Sequence, residues 1–69
     1  MSFEKNFLKQ YLNTIVQLSE ETGMSKKEAR DVIDIAISSQ NPRLINFREI
    51  KNEVKTFVTI NILSLLCKL

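Results

Sequence analysis

The sequence contains no histidine, one cysteine and one glycine, and each shortage removes a class of answers. Without histidine, no side chain takes up and releases protons near neutral pH at its ordinary pKa, so general acid–base chemistry lacks its usual agent. With Cys67 alone, no disulfide can close within the chain and a structural zinc ion has no credible set of ligands. A reduced, intracellular and cytoplasmic setting is the expectation. The single glycine rules out a glycine-rich phosphate loop. Cys67 lies in an apolar run, where a thiol is more often an inert small hydrophobe than a nucleophile. Asp31 and Asp34 stand one helical turn apart and read as solvated charge rather than as a cation site. Neither an enzyme nor a cofactor-binding protein is expected.

Length and charge narrow the field further. The 69 residues make one domain, 1–69, and a chain this short buries only about 60% of the surface its unfolded form exposes. Such domains usually lean on disulfides, a metal or a partner subunit. The first two are excluded, so a partner remains. A net charge of +2 neither announces nor forbids nucleic acid or anionic lipid. The opening MSFEKNFLKQ carries charges of both signs and lacks the apolar core and cleavage site of a secretory signal. The longest uncharged run, 56–67, would cover about 18 Å as a helix, short of the roughly 30 Å hydrocarbon layer. The apolar share, 43%, is ordinary for a globular chain.

Hydrophobic spacing predicts three main helices, 3–20, 26–39 and 47–68, in a small all-α bundle. In the first, Phe3, Phe7, Leu8, Tyr11, Leu12, Ile15, Val16 and Leu18 fall on one side, with Asn6, Lys9, Gln10, Asn13 and Gln17 opposite. That apolar side spans nearly half the circumference, so it is expected to meet two other helices, with the Tyr11 hydroxyl at the rim of the core. Gly23 supplies the left-handed position with which helices commonly end. Ser25 and Glu28 then have capping-box spacing, flanked by Met24 and Ala29 at hydrophobic-staple positions. Ala29, Val32, Ile33, Ala36 and Ile37 line one side of the second helix, whose alanines allow close approach to the first. Asn41 and Pro42 could cap and start a short extra turn, a fourth helical element, and Asn46 has cap spacing to Glu49.

The third segment has two apolar sides. Phe47, Val54, Val58, Ile62, Leu65 and Leu69 form one stripe, while Ile60, Leu63 and Cys67 form a second that begins only after Thr56. A competing reading takes 55–63 as a strand, because FVTINI alternates apolar and polar residues and is rich in β-branched types. Read as a helix, one stripe is buried by the first two helices and the other would be left in water. Burying a Leu or Ile contributes about 1.5–3 kcal/mol, so self-association is the economical outcome. Ile60, Leu63, Leu66 and Cys67 are the expected interface of a homodimer or with a protein partner.

The corner ETGMSKKEAR, 21–30, resembles a helix-turn-helix through Ser19, Gly23, Met24, Ala29 and Val32. That resemblance implies a second helix lodged in the major groove, with Lys26, Lys27 and Arg30 approaching bases and phosphates. The exposed side of that helix also carries Glu28, Asp31 and Asp34, which cancel its positive charge. The longer run 18–37, LSEETGMSKKEARDVIDIAI, is similar to the first helical hairpin of the bacterial histone-like HU and integration-host-factor family. In that family the hairpin belongs to the dimer body and β-arms grip DNA. Nothing after Gln40 matches the β-saddle or the arms, so the similarity implies packing and dimerisation only. The leading expectation is a small intracellular regulator that acts by binding a protein partner, as a homodimer. The alternative is a helix-turn-helix DNA-binding transcriptional regulator.

Overall fold

The computed structural model describes the backbone of residues 2–68 and, within it, the side chains of all but Ser2, Ile62, Ser64, Leu65, Leu66 and Lys68. The helical periods become α1 (Ser2–Thr22), α2 (Lys26–Ile37) and α3 (Phe47–Lys68), with a 3₁₀ turn at Pro42–Leu44 between the last two. No strand occurs among the described residues, and 55–63 lies inside α3. The β-branched residues there have no neighbouring strand to pair with, so the helical stripe prevails over strand propensity.

The α1–α2 corner is built by local chemistry. Gly23 sits at φ 78°, and its N–H donates to the Ser19 carbonyl at 2.9 Å, closing α1 with a left-handed residue. The Ser19 hydroxyl donates to the Met24 carbonyl at 2.7 Å, which holds the turn against the helix it has just left. Ser25 Oγ accepts from the Glu28 N–H at 3.1 Å, so the serine half of the expected capping box forms. Ala29 is fully buried, as close approach of α1 and α2 requires. The second helix ends at Ile37, two residues earlier than its spacing suggested, and the Ser38 hydroxyl donates to the Ile35 carbonyl. Asn41 Oδ1 accepts from the Arg43 N–H at 3.0 Å to start the 3₁₀ turn, and Asn46 Oδ1 accepts from the N–H groups of Arg48 and Glu49 to start α3.

Ile15, Leu18, Ala29, Ile33, Phe47, Ile50 and Val54 form the core, with Thr14 the one buried polar residue among those described. Its hydroxyl donates to the Gln10 carbonyl at 2.6 Å, which lets a polar side chain sit inside without an unpaired group. Phe47 packs edge-on against Phe7, ring centroids 5.2 Å apart, and beside Tyr11. The Arg43 guanidinium lies over the Phe3 ring at 4.8 Å, tying the 3₁₀ turn to the start of α1 through a cation–π contact.

Phe47 lies level with Phe7 and Tyr11, Lys51 reaches Gln17 and Glu21, and Lys55 reaches Glu21. Later residues of α3 therefore meet later residues of α1, so the two helices run parallel, and α3 passes the Gly23 corner with much of its length still to come. From residue 55 to residue 68 it continues for about 20 Å. The molecule is accordingly long and thin, 51 × 21 × 16 Å. Val54 is buried, whereas Asn61, one heptad further along the same side, is exposed: the core has ended and α3 goes on as an arm.

Candidate functional site

A groove runs along the seam between α2 and α3. Met24, Val32, Ile35, Ala36, Val54, Phe57 and Val58 line it, with Glu53 the one charged residue, and its volume is about 520 Å³. Ile35 and Phe57 on its rim are 74% and 65% exposed. Such exposure costs solvation free energy, because apolar side chains stay in water with no partner in the chain. Phe57 also belongs to a second, shallower hollow with Asn52, Glu53, Thr56 and Ile60 on the outer side of α3. Phe57 and Glu53 are thus shared by the groove and by the hollow that reaches Ile60 on the arm.

On the arm, Ile60 and Leu63 are 58% and 55% exposed, and Cys67 is exposed as a free thiol. These are three of the four residues expected at an association interface. The fourth, Leu66, lies outside the residues whose side chains are described. Phe57, Ile35 and Met24 were not among the expected interface residues. Phe57 falls three residues before Ile60 and directly after Thr56, so it adds one residue to the start of the apolar strip on the outer side. Ile35 was hidden among the residues of an ordinary amphipathic helix, and its exposure depends on where α3 crosses.

A separate apolar flank lies on α1. Leu8, Leu12 and Val16 are 55%, 51% and 38% exposed, although they belong to the side that was expected to meet two helices. Both neighbours do pack on α1, but α3 takes the side of Thr14, Gln17 and Glu21, including residues assigned to the polar face. The apolar arc is wide because part of it is left uncovered.

The α1–α3 seam is polar. Lys51 Nζ donates to Gln17 Oε1 at 3.1 Å and to Glu21 Oε2 at 3.2 Å, while Lys55 Nζ pairs with Glu21 Oε1. The hydrogen bonds from Lys55 and then Lys51 hold the Glu21 carboxyl below its ordinary pKa. A cleft of about 290 Å³ beside this seam is lined mainly by Gln10, Asn13, Thr14, Gln17 and Arg48. Across the α1–α2 seam, the Tyr11 hydroxyl donates to Asp34 Oδ1. Burial of the ring, followed by that hydrogen bond to a carboxylate, raises the Tyr11 pKa above the ordinary phenol value.

Lys26, Lys27 and Arg30 are all exposed on the first turns of α2. Arg30 lies 3.7 Å from the Asp31 carboxylate, and Glu28 and Asp34 are exposed beside it. The corner residues of the helix-turn-helix resemblance act in packing: Ala29 is buried, Ser19 and Val32 are half-buried, and Met24 lines the groove. Among the described residues, no helix is long and apolar enough to cross a membrane. No family model, curated protein or solved structure matches the chain.

Proposed function

We propose that the chain is a small, non-catalytic regulatory protein that works by protein–protein association, assembling first as a homodimer through the arm of α3 and the adjoining groove. The observation that carries this reading is the set of exposed apolar residues Ile35, Phe57, Ile60 and Leu63, each more than half exposed. Contiguous apolar surface of this kind, bordered by polar residues, marks interaction sites in small domains. Among the described residues, no part of the body covers Ile60 or Leu63 on the arm. Once the dimer forms, the α1 flank of Leu8, Leu12 and Val16 is left for a partner protein.

The test separates the two surfaces. The parent chain is expected to show twice its 8.0 kDa mass by light scattering, and Leu12→Asp to keep that mass while releasing a partner recovered by pull-down. A parent that stays monomeric at every concentration defeats the homodimer, and a partner indifferent to Leu12→Asp defeats the flank assignment.

A second reading, DNA binding through the corner, draws on the exposure of Lys26, Lys27 and Arg30 at the start of α2. It requires retention on DNA that falls steeply with salt and is lost when all three become alanine. Absence of retention at low salt removes it.

A further inference from the structure

We infer that the occupant of the outer strip of the arm is a second copy of this chain, with the two α3 arms antiparallel and Ile60 of each facing Leu63 of the other. The inference rests on the association reading above and adds its geometry.

A two-fold contact uses the same patch on both copies, so the strip must match itself when reversed. About the midpoint between positions 61 and 62, Ile60 mirrors Leu63 and Thr56 mirrors Cys67, and all four are exposed. The run 56–67 carries no charge, so this pairing buries none. The same register returns the end of each arm to the level of residues 53–57 of the other copy, where the groove opens beside Val54 and Phe57.

Charge favours this direction. Lys68, the last residue of α3, is the only charged position beyond Lys55 in that helix. In the antiparallel register it falls within a turn of Glu53 of the second copy, a carboxylate in no ion pair among the described residues. Lys55 is the residue that mirrors position 68, and it is turned towards Glu21 on α1. A parallel pair would set Lys68 against Lys68.

The register is measurable by pulsed electron spin resonance on Asn52→Cys in a Cys67→Ser background, with spin labels at residue 52, which is exposed and lies outside 56–67. Antiparallel arms place the two labels nineteen helical positions apart, about 28 Å along the axis and about 30 Å in all once the interaxial distance is added. A distribution centred near 30 Å, lost in Leu63→Asp while helical circular dichroism is retained, is the expected result. A distance near 10 Å, as parallel arms give, overturns the register but leaves the association reading standing. Absence of dipolar coupling together with a monomeric mass at the same concentration overturns both.

Discussion

Leu63→Asp is the most informative single substitution, because Leu63 belongs to the arm and not to the core. Full burial of a leucine contributes about 1.5–3 kcal/mol, so covering its 55% exposed surface contributes roughly 1–1.5 kcal/mol per copy. The two-fold contact counts each substitution twice, giving about 2–3 kcal/mol. Carboxylates confined at the contact without partners add a desolvation cost of about 1–3 kcal/mol. The dissociation constant of the dimer is therefore expected to rise by at least about 100-fold, at 1.4 kcal/mol per factor of ten. The monomer is affected much less, because aspartate in an exposed helix costs only about 0.5–0.7 kcal/mol relative to the best helix formers. Sedimentation equilibrium over about 1–200 µM, a range that brackets micromolar association, reads the constant directly. Leu44→Asp is the matched control: Leu44 is 78% exposed but lies in the 3₁₀ turn, away from the groove, and its substitution is expected to leave the constant unchanged. Equal constants for parent and Leu63→Asp, or equal losses for the Leu63 and Leu44 variants, would refute the reasoning.

Further expectations concern the body. Gly23→Ala meets no atom within 4 Å, so its cost comes from positive φ alone, about 1–2 kcal/mol by urea denaturation. Ile33→Ala, at a fully buried position, is expected to cost about 2–5 kcal/mol, comparable with the roughly 3–10 kcal/mol available to a chain of this length, and to abolish a cooperative thermal transition. The Glu21 carboxyl has a lowered folded pKa owing to Lys55 and Lys51, so its contribution is present above the ordinary glutamate value of about 4.3 and is lost as pH falls through the folded value. Glu21→Gln should flatten that acid limb of stability. Tyr11 is raised by burial and by Asp34, so its contribution is full below about pH 10 and disappears as pH climbs through the folded value. Phenolate absorbance should titrate above the free phenol, and Tyr11→Phe should remove the alkaline loss.

Local signals carried most of the fold. The Gly23, Ser25, Asn41 and Asn46 chemistry depends on neighbours within a few residues, and each of these residues ends or caps the element its spacing suggested. The second apolar strip of α3 was equally legible, since Ile60, Leu63 and Cys67 recur at helical spacing and are exposed. What could not be read was the side on which α3 crosses α1. Thr14 and Gln17 look polar in isolation, yet α3 packs over them because threonine bonds to its own helix and Lys51 supplies Gln17 with a donor. That choice of side exposes Leu8, Leu12 and Val16. It also leaves Ile35 and Phe57 exposed on the rim of the α2–α3 groove. Relative placement of helices depends on summed packing that no short window of sequence contains.

Hydrogen exchange along α3 at several protein concentrations tests the central claim most directly. A lone helical arm of this length is marginal in water, so amides from Ile60 to Cys67 are expected to exchange quickly in dilute solution. Their protection should then rise with concentration, while the amides around Leu18 and Ile33 stay unchanged. Fast exchange of the arm at every concentration, or protection that ignores dilution, would contradict the covering of this surface by a second chain.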